Sequence, residues 1–146
     1  MQTLGLFILM SGFVIGLGAV TVIDLHGFLG RRSAYWTLAT TRTHKVTKPL
    51  IWAGMALCVL GGFLFYGPQG FTPAVQFHAL SALVLIGNGC FLSFSVSPFL
   101  LAREREGREA ELLPASWQYK ITAAFFISFF FWWSNLTLVA YSLTQG

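Results

Sequence analysis

Charge is scarce in this sequence. Among 146 residues there are five acids and nine Lys or Arg, so 10% of the chain is charged, against about a quarter in a soluble domain. Hydrophobic residues make up 55%, and the mean hydropathy is +0.69. A chain this short cannot hide that much apolar surface behind a water-facing shell. This excludes a soluble globular domain and makes lipid the expected solvent for much of the surface. Cysteine is nearly absent too. Cys58 and Cys90 both lie within apolar runs and form no CxxC pair, which argues against a disulfide framework or a metal site and leaves them as small buried hydrophobes. There is no P-loop, nucleophile elbow or HExxH pair, so no catalytic motif assigns an activity.

What is present is long apolar runs. Four stretches, about 4–27, 49–66, 74–101 and 121–142, approach or exceed the roughly 20 residues a helix needs to cross the hydrocarbon. Inside lipid every backbone group needs an internal partner, so these are predicted helices. The expectation is an all-α fold: one integral membrane four-helix bundle spanning residues 1–146. The first run, Met1 to Ile23, has no Lys or Arg, and its length is about twice that of a signal-peptide core. It reads as a retained span.

The net charge of +4 does not point to nucleic acid, because the basic residues lie in two short loops beside apolar runs. Arg31, Arg32, Arg42, Lys45 and Lys48 fall between the first two spans, and Arg103, Arg105, Arg108 and Lys120 between the last two. The first segment, the turn from Gly67 to Thr72 and the C-terminal tail have none. The positive-inside rule then places both basic loops in the cytoplasm and both termini outside. In the first loop, Ser33 can cap a short helix carrying Ala34, Tyr35, Trp36, Leu38 and Ala39. A short interfacial helix is expected there, with Pro49 in the first turn of the second span. Its basic cluster suits anionic headgroups, at about 1 kcal/mol per residue near the surface. Arg103 to Glu111 reads as a solvated, mixed-charge extension of the third span, broken near Gly107.

Small residues recur every three or four positions. Gly12 and Gly16 continue to Ala19; Gly54 and Cys58 continue to Gly62; Gly89 and Ser93 continue to Ser97. Such stripes let helix backbones approach closely. The fourth span is dominated by Phe125, Phe126, Phe129, Phe130, Phe131, Trp132 and Trp133, which suits a lipid-facing helix, with a cofactor wall or a docking surface for a membrane partner as alternatives.

Polar residues within the spans are the candidate sites. His78, Ser81, Asn88 and Ser95 step by three, seven and seven and so share one helical face. Asn88 lies mid-span and needs a partner, for which Asn135, Ser128 and Ser134 are candidates. Asp24 is the one acid in or beside a span before Glu104. An ion pair with Lys48, Arg31 or Arg32 would stabilise it, and together with Asn88 and Asn135 it forms a candidate polar site. Asp24 and His26 are two residues apart, roughly 200° around an intact helix, so they diverge unless Gly27 and Gly30 allow unwinding. His26 and His44 share one side of the membrane and could pair across a haem, whereas His78 stands at the other end with no histidine at its depth.

In layout the chain resembles a broad superfamily of small bacterial four-helix membrane proteins that includes copper-resistance-D-like domains and HemJ-type protoporphyrinogen oxidases. The matching features are an outward N-terminus, a basic first loop, Pro49 opening the second helix, and Phe77-His78-Ala79 at the outer start of the third, followed by an apolar run to Ile86. The first span lacks a histidine at its outer end, and Leu80 stands where a lysine often follows the third-helix histidine. The resemblance implies a bacterial inner-membrane location and haem or porphyrin chemistry, with haem b as cofactor. The sequence supports two functions. The leading one is a non-catalytic multi-pass module that contacts anionic lipid, a membrane-protein partner or a second copy through Arg31, Arg32, Arg42, Lys45 and Lys48. The alternative is a small haem-binding or porphyrin-handling redox protein using His26, His44 or His78.

Overall fold

The computed structural model describes residues 1–144, and these are helical with short connections. Helix α1 spans Gln2–Gly30 and α2 spans Ala34–Tyr66. A 3-10 turn, Gly67–Gln69, leads to α3, Pro73–Phe91. A π turn at Leu92–Val96 joins α3 to α4, Ser97–Arg105, and α5 spans Ala115–Thr144. Counting α3 and α4 as one continuous rod, four helices are long and apolar enough to cross a membrane. Both basic connections lie at one end of the bundle. The 67–72 turn lies at the other, the far end.

Helices α1 and α2 pack antiparallel along their whole length, while α3 packs chiefly on α5 and α5 also touches α1. Glycine makes the α1–α2 contact so close. A methyl placed on Gly12 would lie 2.7 Å from Cys58 N and 2.8 Å from Gly54 O, and one on Gly5 would lie 2.6 Å from Phe65 N. One on Gly54 would overlap the Gly16 backbone. The glycines of both stripes thus face each other, as close helix packing in lipid requires. At the far end of the stripe the contact passes to Gly61, which lies against Leu9, while Gly62 turns toward His78.

Two features depart from the sequence reading. First, there is no separate interfacial helix: α2 runs unbroken from Ala34 through Pro49 to Tyr66. At 1.5 Å per residue it is about 50 Å long, roughly 20 Å more than the hydrocarbon thickness. Proline removes one N–H from the ladder, but Pro49 and Lys45, whose carbonyl it would have served, are both exposed. The N-terminal half of α2 is held by packing. Thr37, Thr40, Thr41, His44 and Thr47 are buried. The threonine hydroxyls satisfy themselves on carbonyls in the preceding turn, such as Thr40 Oγ1 to Trp36 O at 2.8 Å.

Second, the π turn changes which residues of the third rod face inward. Ser97 N–H bonds Leu92 O, five residues back. The extra residue rotates everything beyond it, so Ser95 is exposed while Ser93, Val96, Ser97 and Leu100 are buried. The expected face of His78, Ser81, Asn88 and Ser95 therefore holds only through Asn88. Pro98 explains the location: with no N–H and a ring that crowds the preceding turn, it favours a widened ladder just before it.

Candidate functional site

The core holds two cavities, one above the other, between the paired α1–α2 and the α3–α4 rod with α5. Met55, Leu85 and Trp132 line both and form the partition. The smaller, about 110 Å³, lies toward the basic end and is lined by Asp24, His44, Lys48 and Ser93 among apolar neighbours. The larger, about 450 Å³, lies toward the far end. His78, Tyr66, Asn135 and Cys58 line it, with aromatic walls from Phe13, Phe63 and Phe71. Its volume falls within the range of small-molecule sites.

Backbone geometry positions the polar groups of the smaller cavity. In the π register the carbonyl after Leu92, that of Ser93, would be served by residue 98, and Pro98 has no N–H. Lys48 Nζ donates to this Ser93 carbonyl at 3.4 Å, and Trp52 Nε1 donates to Ser93 Oγ at 3.0 Å. The widened turn thus supplies α2 with two anchors on the α3–α4 rod. Lys48 has no carboxylate partner among the described residues. The ion pair expected between Asp24 and Lys48, Arg31 or Arg32 is not formed, and Asp24 Oδ2 is buried without a hydrogen bond. Arg31 instead bonds Phe28 O through Nε at 3.0 Å and lies over the Phe28 ring, 3.7 Å from its centroid.

The three histidines occupy three separate surroundings. Helix α1 stays intact through Gly30, so Asp24 and His26 diverge as helix geometry requires. His26 packs on Trp36, with ring centroids 5.1 Å apart, and lines neither cavity. His44 lines the smaller one, its Nδ1 at 2.6 Å from Thr41 O. His78 lines the larger, its ring 5.2 Å from that of Tyr66. No two histidines face one cavity, so the expected His26–His44 pairing across a haem finds no fit. Among the described residues no three His, Cys, Asp or Glu side chains converge on a metal site.

Asn88 and Asn135 also separate. Asn88 ties α3 to α5 by donating from Nδ2 to Ser128 Oγ at 2.9 Å and Ala124 O at 3.0 Å. That matches the expectation of interhelical glue, with Ser128 as the partner. Asn135 donates to Phe131 O on its own helix at 2.9 Å, leaving Oδ1 buried and unpartnered in the larger cavity. Asp24, Asn88 and Asn135 thus form no single polar site.

At the basic end, Lys45 Nζ meets Glu104 at 2.7 Å. Arg108 is paired with Glu111 at 2.9 Å and Glu106 at 3.2 Å, and these hydrogen bonds hold its guanidinium above its ordinary pKa. Arg32 and Arg42 are exposed and have no acidic partner among the described residues. One residue that sequence reasoning missed is Arg103. The charge pattern predicts a solvated position for it, yet it is buried. Its Nη2 reaches Arg108 O at 3.2 Å, Glu111 O at 3.0 Å and Leu112 O at 3.4 Å. No sequence signal separates it from its charged neighbours. Comparison of the chain with family models, with curated proteins and with solved structures finds no match.

Proposed function

We propose that the chain is a multi-pass membrane protein of a bacterial inner membrane, with both termini outside, whose cytoplasmic end is a non-catalytic contact for anionic lipid headgroups. One observation carries this reading: the exposed cationic side chains Arg32 and Arg42 lack carboxylate partners, whereas Lys45, Arg103 and Arg108 are paired. Arg42 lies on the part of α2 that outruns the hydrocarbon, and Arg32 just before that helix. Both would then sit at headgroup depth, beside the apolar surface of the bundle. Net-anionic lipids match this arrangement by charge, and Tyr35 and Trp36 suit the same interface.

Lipid-dependent stability tests the contact. Phosphatidylglycerol is expected to raise the melting temperature of the detergent-purified protein more than phosphatidylcholine does. Replacing Arg32 and Arg42 together by Gln should weaken anionic lipid binding about thirtyfold, since about 1 kcal/mol per basic residue and 1.4 kcal/mol per tenfold give that order. Equal stabilisation by both lipids, or a double variant that keeps the preference, refutes it. Orientation is read by cysteine labelling in intact cells. Gln69→Cys should react with an impermeant reagent and Ser33→Cys only after permeabilisation, and the reverse pattern would invert the topology.

A further inference from the structure

The larger cavity has polar features that the lipid contact does not use. Its wall contains no Lys, Arg, Asp or Glu, so it suits a neutral guest. Its walls are apolar, with rings from Phe13, Phe63, Tyr66, Phe71 and Trp132, which favour a flat ring as occupant. Yet three side chains more than nine-tenths buried present unpartnered polar atoms there: His78 Nδ1, Asn135 Oδ1 and the Tyr66 hydroxyl, which can donate or accept. Burying such atoms unpaired costs roughly 1–3 kcal/mol each, so a guest that satisfies them is strongly favoured over one that does not.

The chemistry of these atoms narrows the guest. Asn135 Nδ2 is committed to Phe131 O. That bond fixes which end of the amide faces the cavity, so Oδ1 can only accept. The guest must therefore donate a hydrogen. His78 turns its Nε2 edge toward Gly62, where an added methyl would lie 3.3 Å away. This leaves Nδ1 as the open edge, able to accept or donate according to tautomer.

We propose that this cavity binds a membrane hydroquinone, with a ring hydroxyl donating to Asn135 Oδ1, another polar atom of the ring meeting His78 Nδ1, and the isoprenoid chain leaving toward lipid between α2 and α3. A quinol is neutral, flat, lipid-soluble and carries hydroxyl donors, whereas the matching quinone offers only acceptors. A site that hydrogen-bonds a hydroxyl discriminates strongly against the analogue lacking it. The proposal concerns binding alone and requires no electron transfer by this chain.

The test uses the full chain in phosphatidylcholine nanodiscs, titrated calorimetrically under anaerobic conditions with a short-chain benzoquinol, its benzoquinone, and farnesol, a hydroxyl-bearing isoprenoid without a ring. The expected result is saturable one-to-one quinol binding, with quinone and farnesol at least tenfold weaker. Asn135→Leu should reduce quinol affinity at least tenfold and abolish the preference for quinol over quinone. Ala82→Phe fills the cavity from α3. It should block quinol while preserving the response to phosphatidylglycerol, which reports an intact fold and separates this site from the lipid contact. No saturable quinol binding, quinone or farnesol binding as tightly as quinol, or quinol binding undiminished by Ala82→Phe would each overturn the assignment. Should Asn135→Leu fail to fold, Ala82→Phe decides.

Discussion

Gly54→Leu is expected to force α1 and α2 apart, giving the largest stability loss of any single substitution considered in the bundle. At this crossing the two backbones touch: a methyl on Gly54 would overlap Gly16, and it would lie 2.9 Å from Gly12 O. The obstacle is main chain, so no rotamer change relieves it. Overpacking a well-packed core costs typically 1–3 kcal/mol. Here the clash falls in the middle of the most extensive helix pair in the molecule, so a loss of about 3 kcal/mol or more is expected. Unfolding in mixed micelles by SDS titration, followed by circular dichroism, is the measurement. Gly18→Leu is the control, because nothing lies within 4 Å of its added methyl; its effect should stay within about 0.5 kcal/mol. If Gly54→Leu unfolded no earlier than Gly18→Leu, the close α1–α2 seam would be wrong.

Arg103→Ala should loosen the connection between α4 and α5. The guanidinium reaches three carbonyls of that connection and approaches Glu111 Oε2 at 3.6 Å, with Phe99 on its other side, 5.8 Å from ring centroid to Cζ. Truncation leaves those acceptors facing an emptied buried site. Hydrogen bonds to charged groups contribute roughly 1.5–3 kcal/mol each, and the bonds here share one nitrogen, so about 3 kcal/mol in total is expected. Amide hydrogen exchange across residues 106–114 should accelerate, and trypsin should cut at Arg108 more readily. Arg103→Lys should recover only part of the protection, since an ammonium cannot reproduce the planar fork. The exposed neighbour provides the contrast: Arg105→Ala should be silent. Unchanged exchange in Arg103→Ala would remove the clamp from the account.

These two residues show what a sequence can and cannot reveal. The Gly12–Gly16 and Gly54–Cys58 stripes are visible in the sequence, and their use within the chain follows from close packing in lipid. Which glycine at the far end contacts α1 is not visible. Gly61 and Gly62 are adjacent, and only the crossing geometry assigns Gly61 to Leu9 and Gly62 to His78. Arg103 is hidden because its partners are main-chain carbonyls several residues ahead, which carry no residue-type signature. The line of polar residues on α3 failed beyond Asn88 for a related reason. That line requires a constant 100° step, and Pro98 instead favours a π turn that inserts one residue and rotates Ser95 outward.

By itself the sequence determined the all-α architecture, the four long apolar helices, the gathering of every basic residue at one end, and Asn88 as a tie to the fourth span. Each follows from composition or from a period that is local to one helix, and local regularities are what a linear chain records. Only the tertiary structure decided that α2 runs unbroken through Pro49, that the three histidines face different surroundings, and that Lys48 meets the carbonyl freed by Pro98. It also decided that His78 and Asn135 line a single cavity with unpartnered atoms. These depend on how helices cross and rotate against one another, which is set by backbone approach at glycines and by one proline's missing N–H.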